Sequence, residues 1–502
     1  MNKIKIGWAE IDITPEKKVS LIGQFSERIS EFVEKPLTAT ALALESDGKV
    51  AVFCSCDLVG TDWALLDAVR KRLCEKNAPF DVNSVIINAT HVHTAGYSSM
   101  YRNAPEGQGL FENYRKTILE YLAPNQKYVD NSKTEKREDV ATPKEIFDIL
   151  VDRISKVILL AYERRKEGSF VNAFGRAPVG MCRRSAFSDG TAQMWGDTNT
   201  EKFTQLEGGS DTGIELLYFF DEDKKLTGIV ANLACPAQCV QHRHFVSPDF
   251  WGEAKMLLRK RFGENIFLLP QCSAAGDQCP VDLVRFVEPE SDLDDPNCIR
   301  INPPKRKADP SMFDLSGMKL TGRRIANEII MVYEDGLDDP VLSAAFEHKI
   351  IKMPLPLRRA TDDDVKNAKE GIRSYMAAKE GDVDFNDIAM VMIHLGVLDR
   401  EKLQKEVEFI EEEIHIIRLG DISFATNPFE LFLNYGNQIK ARSKSEQTFI
   451  VQLANGAEGY LPTKIAELHG HYSGFISSGL IGHEGGEILV EKTLSHIADL
   501  FE

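Results

Sequence analysis

Three pairs of histidines stand one residue apart in this chain: His91-Val92-His93, His242-Arg243-His244 and His469-Gly470-His471. On an extended backbone residues i and i+2 project to the same side. Each pair can therefore present two imidazoles together, an arrangement suited to binding a metal or moving protons. His91 and His93 follow the apolar run 84–90 (SVIINAT), which reads as a buried strand. His242 and His244 come after a second such run, 228–235 (GIVANLAC), in a stretch that an ordinary polar loop would resemble.

Residues 271–280 (QCSAAGDQCP) follow the short apolar run 265–269. Small residues let a backbone approach a ligand closely. Asp277 and Cys279 then sit at a strand C-terminus, where open α/β sheets place their sites. The phosphate-loop pattern GxxxxGK[ST] is absent. Glu430 ends Asn427-Pro428-Phe429-Glu430 after another apolar run, and reads as a ligand, a base or a helix N-terminal glutamate favoured by the macrodipole. Tyr460 and Tyr472 flank the third histidine pair.

The elements that must position these groups alternate along the chain. Residues 50–59, 84–90, 228–235 and 265–269 read as strands, and 65–76, 143–161 and 251–262 as helices, the second with Pro143 at its start. Such alternation predicts an α/β sheet with helices on its faces. Residues 102–141 are long, polar and irregular, a candidate lid, and 287–312 form a second such segment rich in Pro and Asp. Residues 361–378 and 401–413 read as charged surface helices within an embedded helical segment at about 355–413. Residues 414–427 read as two strands joined at Gly420-Asp421, in the order a type II′ turn favours. No internal repeat or Gly/Ser linker interrupts the chain, so one body over 1–502 is expected.

Composition narrows the function classes. The 502 residues carry 60 Lys+Arg against 77 Asp+Glu, a formal charge of −17, which excludes a general nucleic-acid binder because phosphate contacts need a basic face. The short basic run Lys305-Arg306-Lys307 reads as solvated surface. With 43% hydrophobic residues, the chain can build a large core. The nine cysteines are odd in number, several lie in apolar runs and no small disulfide framework is evident, as expected in a reducing compartment. The N-terminus lacks a signal-peptide h-region and no run of 18 apolar residues exists to span a membrane. A cytoplasmic protein is expected, and nothing excludes a homo-oligomer.

In their order along the chain, GWAEIDITP, NATHVHTAG, GDQCP, NPFE and GYLPT followed by Tyr472 resemble the neutral/alkaline ceramidase family. The resemblance is to its catalytic domain and runs through nearly the whole chain. NATHVHTAG is similar to the family's THTHSGP signature, GDQCP to its GDVSP loop, NPFE to its PGE segment, and GYLPT with Tyr472 to its YVTT…Y pair. The resemblance implies a mixed, multi-layer α/β catalytic domain, here without the family's C-terminal immunoglobulin-like domain. It also implies a zinc-dependent amide hydrolase; mixed N/O ligation suits zinc, with iron or manganese as alternative metals. His91, Glu430 and Tyr460 match zinc ligands. His93 and Tyr472 match residues facing the scissile amide, and Arg183 or Arg184, in CRRSAFSDG, matches an active-site arginine.

Two departures from the family pattern matter. Its second zinc histidine lies in an ACHP-like segment that here reads Ala234-Cys235-Pro236-Ala237-Gln238, and proline cannot bind a metal. His242 or His244 is expected to reach back and fill that place. The family's serine in GDVSP is Cys279, expected to support the pocket, with Asp277 orienting a neighbour. The implied substrate is a small-molecule or lipid-like amide. A soluble N-acyl compound is at least as good a candidate as a sphingolipid, since no leader or membrane segment is read in the chain. The rival readings are a metal-dependent lyase or glycoside-processing enzyme on the same scaffold, a Cys279-dependent thiol hydrolase, and a non-catalytic binding protein.

Overall fold

Side chains alternate across each strand, and here both sides are apolar. In the strand Thr38–Ser46, Ala39, Ala41 and Ala43 face one layer while Leu42 and Leu44 face another. In Lys49–Cys56, Val52, Cys54 and Cys56 oppose Ala51 and Phe53 in the same way. A sheet built from such strands must be covered on both faces. The computed structural model describes residues 3–24, 27–96, 110–129, 137–287, 300–301, 306–309 and 313–502.

The central sheet has eight strands, in the order Phe267–Cys272, Leu226–Leu233, Gly213–Asp221, Lys166–Arg176, Lys5–Asp12, Thr38–Ser46, Lys49–Cys56 and Val85–Ala89. The outermost pairing at each end is parallel and the inner pairings are antiparallel. Each parallel pairing is bridged in sequence by a helix, Trp63–Glu75 at one end and Phe250–Phe262 at the other. These two helices, with Pro143–Glu163 and Asp314–Asp335, cover one face of the sheet. The helix at Pro143 starts where the sequence predicts, fixed by a Thr142–Glu145 capping box.

A second sheet of four strands covers the other face: Phe346–Pro356, Phe409–Leu419, Ile422–Thr426 and Gln447–Val451. Phe424 joins the layers, with its ring centroid 4.8 Å from Phe53 and 4.7 Å from Phe449. The helices Leu433–Arg442 and His483–Leu500 close the outer face of this sheet. The fold is therefore four layers, helix–sheet–sheet–helix, a multi-layer α/β architecture as expected. The hairpin at Gly420 has a positive φ of 62° at the first central position, as a type II′ turn requires.

Three expectations change. Of residues 401–413 only 401–403 are helical. The helix is Phe385–Leu403, and a strand begins at Phe409 and pairs along its length with Phe346–Pro356. The charges mislead because Glu412 and Glu413 are buried, with Glu413 held by Arg70 at 2.7 Å and His415 at 3.0 Å. The segment 102–141 is not wholly irregular. Leu110–Leu119 is a helix whose Tyr114 and Ile118 pack against Ile372, Val391 and Leu395, while 102–109 and 130–136 lie outside the described residues. Most of 287–312 also lies outside them, although Arg306–Asp309 forms a strand. No helix among the described residues is long and apolar enough to cross a membrane.

Candidate active site

The candidate site gathers at one end of the strands. His91 follows Val85–Ala89 with φ at 63°, a left-handed conformation uncommon for a residue with a side chain. Its Nδ1 lies 2.6 Å from the Val59 carbonyl, which fixes the ring proton there and leaves Nε2 as an acceptor. That Nε2 lies 3.4 Å from Glu430 Oε2. Glu430 opens the two-residue strand Glu430–Leu431, which pairs in parallel with Tyr460–Leu461 so that Glu430 and Tyr460 are direct partners. Gly276 packs on the same turn, where a Cβ would come within 2.3 Å of the Glu430 carbonyl oxygen, so only glycine fits. Gln452 aligns the two segments by accepting from the amides of Ala275 at 3.0 Å and Leu431 at 3.1 Å.

Arg183 lies behind this group and is 4% exposed. Its Nη2 donates to Tyr460 Oη at 3.2 Å and to the Gly276 carbonyl at 3.0 Å, and its Nη1 donates to Gln238 Oε1 at 3.3 Å. Tyr460 Oη lies 3.4 Å from Tyr472 Oη. Gln238 Nε2 reaches His93 Nε2 at 2.9 Å, and the rings of His91 and His93 stand 5.0 Å apart, edge to face. His93 packs on Gly23, where a Cβ would come within 2.3 Å of the ring. Its carbonyl accepts from buried Arg28 at 2.7 Å.

Burial dominates the electrostatics. Desolvation would raise the Glu430 carboxyl, but His91 and Arg183 outweigh it and hold it below the usual range. Desolvation and the Glu430 charge push Tyr460 well above an ordinary phenol, and Tyr472 is raised by the same two causes. Burial, with His91, Arg28 and Arg183 nearby, pushes His93 well below an ordinary imidazole. Arg183 is held cationic: burial opposes its charge, but Tyr460, Cys279 and Glu430 raise it.

The remaining candidates stand apart from this group. Arg184 opens the strand Arg184–Phe187 and has partners different from those of Arg183. It pairs with Glu207 and donates to the carbonyls of Gly470 and Tyr472 at 2.9 Å, so it anchors the segment carrying Tyr472. Asp277 accepts from the Leu433 amide at 2.9 Å and its carbonyl accepts from the Arg183 amide at 2.9 Å, an orienting role. Cys279 is fully buried, its thiol faces the Val281 carbonyl at 3.4 Å, and burial pushes it up to about 12. His469 pairs with Glu207 at 2.8 Å, and His471 Nδ1 accepts from the Met194 amide at 3.2 Å. Both line a cavity of about 590 Å³ with Phe187, Asp197 and Phe475.

The expected compensation by His242 or His244 does not form. His242 stacks on Phe313 at 5.2 Å and its Nε2 lies 3.4 Å from Asp314 Oδ1. His244 is exposed, and its backbone carbonyl accepts from the Glu31 amide at 2.7 Å. Arg243 also pairs with Asp314, which ties this loop to the helix Asp314–Asp335. Among the described residues no three His, Cys, Asp or Glu side chains converge on one point. The remaining donors still suit a divalent cation. His91 Nε2 and Glu430 Oε2 are two acceptors turned toward each other, an arrangement completed by a proton or a cation, and Tyr460 Oη adjoins them. This gives three protein donors of mixed N and O type, the count found in catalytic rather than structural zinc sites.

Sequence reasoning missed Gln238, Arg28 and Glu207. Gln238 had a readable signal: an amide within the apolar stretch 233–240, buried to 1% exposure, needs polar partners. Arg28 and Glu207 had none, since their partners lie far away in sequence.

No family model matches the sequence, and no curated protein matches it. Solved structures do match in fold, among them two ceramidases. A ceramidase complexed with C2 superposes with a TM-score of 0.66 at 16% identity, covering 100% of this chain and 76% of that one. The neutral ceramidase from Pseudomonas aeruginosa superposes with a TM-score of 0.65 at 16% identity, covering 99% of this chain and 75% of that one. From end to end, this chain has a neutral-ceramidase-like fold.

Proposed function

We propose that the chain is a metal-dependent hydrolase of an amide bond, acting on a small N-acyl compound, with His91, Glu430 and Tyr460 holding a divalent cation, zinc by donor type. The observation that carries this reading is the 3.4 Å approach of His91 Nε2 to Glu430 Oε2, with Tyr460 paired to Glu430 in register. When bound, the cation supplies Lewis acidity to a carbonyl and acidity to a water. The Val59 carbonyl holds the His91 tautomer that leaves Nε2 available. Arg183 keeps the Tyr460 oxygen in place and contributes positive charge where negative charge develops. Tyr472 donates toward the oxyanion of the tetrahedral state, and loss of such a donor typically costs about 3–4 kcal/mol of barrier. His93 carries a proton from the attacking water to the leaving amine nitrogen. The eight cysteines described as free support a reducing compartment and hence a cytoplasmic site of action.

The Cys279 thiol-hydrolase reading is disfavoured, since that thiol is fully buried and held protonated. The test of the main reading combines metal analysis of the purified protein with a screen of N-acyl amines, ceramides and sugar conjugates. Stoichiometric divalent metal with chelator-sensitive amide cleavage is expected. Metal-independent turnover, or cleavage confined to glycosides, overturns it.

A further inference from the structure

Gln238 touches both Arg183 and His93, and the chemistry of these partners leaves one arrangement of protons. A guanidinium only donates. Arg183 Nη1 lies 3.3 Å from Gln238 Oε1, so the amide carbonyl faces Arg183 and the amide NH2 faces His93. An amide nitrogen cannot accept. At 2.9 Å from Gln238 Nε2, His93 Nε2 must therefore be the acceptor. With Nε2 bare, the ring proton then sits on Nδ1. Nδ1 lies on the side of Gly23 and Gln241, buried and without a hydrogen bond of full geometry. The Arg183 that sets the amide also donates to Tyr460 Oη.

We propose that Gln238 is a positioning residue that fixes His93 as the Nδ1–H tautomer, with its Nε2 lone pair held for proton acceptance, and links that choice to Arg183 and Tyr460. The inference deepens the amide-hydrolase reading, and only its kinetic arm rests on that reading. The amide acts through His93 and touches neither the reacting bond nor the three metal donors. Nε2 accepts a proton only when the Gln238 amide gives way to a water or substrate proton. The same guanidinium that orders the phenol oxygen thus keeps the imidazole ready.

The test is imidazole ¹⁵N spectroscopy of histidine-labelled protein, with the His93 signals assigned by their loss in His93→Gln. The parent should show an unprotonated Nε2 and a protonated Nδ1. Gln238→Glu keeps an acceptor for Arg183 but turns the other oxygen on His93, so Nε2 should become an N–H. Gln238→Leu should shift the Nε2 resonance by removing its donor. A protonated Nε2 in the parent overturns the proposal, as does a folded Gln238→Glu protein with Nε2 still bare, or a Gln238→Leu spectrum like the parent's. Should Gln238→Glu fail to fold, the parent and Gln238→Leu spectra decide. In the kinetic arm, Gln238→Glu should lower kcat by about tenfold or more with KM little changed, the pattern of a group acting in the transition state. An equal rise in KM with kcat retained overturns the positioning role. If the chain cleaves no amide, the hydrolase reading fails on its own screen, while the spectra still judge Gln238.

Discussion

Glu430 and Tyr460 sit opposite each other in a parallel pairing only two residues long, and Arg183 Nη2 donates to the Tyr460 oxygen at 3.2 Å. Backbone register, rather than side-chain reach, delivers the carboxylate and the phenol to the same place. His91 follows the edge strand Val85–Ala89 of the central sheet, so the 3.4 Å contact with Glu430 ties that sheet to the short pair at the site.

That arrangement makes Glu430 the most sensitive position for metal retention. Glu430→Ala should reduce divalent-metal affinity by more than the roughly 10–100-fold typical of losing an outer partner of a ligand. Competition titration with a chromogenic chelator measures it directly. Parent-like affinity in Glu430→Ala would show that the carboxylate holds no metal.

Cys279 leads to the opposite expectation. Its thiol makes a weak contact, at 3.4 Å to the Val281 carbonyl, and is held protonated by burial. Cys279→Ser should keep most amide turnover and change stability by about 1 kcal/mol, the usual scale for a mild buried change. Turnover and thermal melts of the two proteins, together with mass spectrometry for an acyl adduct, check this. Loss of turnover with an intact fold, or a trapped Cys279 adduct, would restore the thiol mechanism.

How much of this was legible in the residues follows from the range of the forces involved. The strands and helices that carry His91 and the small-residue turn at Gly276 were readable, because burial imprints a local period on the sequence. Glu430 and Tyr460 could be picked out only through motif order, since nothing local says that two short strands far apart in the chain will pair. The charged stretch 401–413 deceived for the reverse reason: Glu413 looks solvated until the fold brings Arg70 to it from far away in the chain. His242 was misplaced because spacing alone cannot show that Asp314 and Phe313 already hold it.

Acid should weaken the protein through Glu10. Burial pushes this carboxyl up, but Lys255 at 3.3 Å and Arg259 at 2.6 Å outweigh it and hold it at about 2, against an ordinary value of 4.5. A carboxyl lowered on folding stabilises fully above its unfolded value and loses that contribution as pH falls from about 4.5 to about 2. The contribution at neutral pH is on the order of 3 kcal/mol, from about 1.4 kcal/mol per pKa unit. Glu10→Gln should lower stability at pH 7 and flatten its decline below pH 4.5. Denaturant melts at a series of pH values measure both, and a parent-like decline in Glu10→Gln would assign the acid sensitivity elsewhere.

Arg184 should control catalysis from behind the site. Its guanidinium is fully buried, pairs with Glu207, and donates to the carbonyls of Gly470 and Tyr472 and to Ser473 Oγ. These bonds fix the backbone on either side of Tyr472, whose oxygen meets Tyr460 at 3.4 Å. Among the described residues Arg184→Ala leaves the buried Glu207 carboxylate with His469, at 2.8 Å, and breaking such a pair typically costs about 3–5 kcal/mol. Arg184→Lys keeps a charge but cannot reproduce the fork that spans several acceptors, so it should destabilise less while still loosening the segment. Metal content should stay at the parental level in Arg184→Lys, because Arg184 touches none of His91, Glu430 or Tyr460. Its kcat should fall through the misplaced Tyr472 donor, by up to the roughly 10²–10³-fold typical of losing an oxyanion contact. Thermal stability, metal content and kcat measured together on Arg184→Lys separate anchoring from ligation. A parental kcat in that variant would mean that Tyr472 needs no anchor, and lost metal would mean that the 470–473 segment shapes the ligand cluster itself.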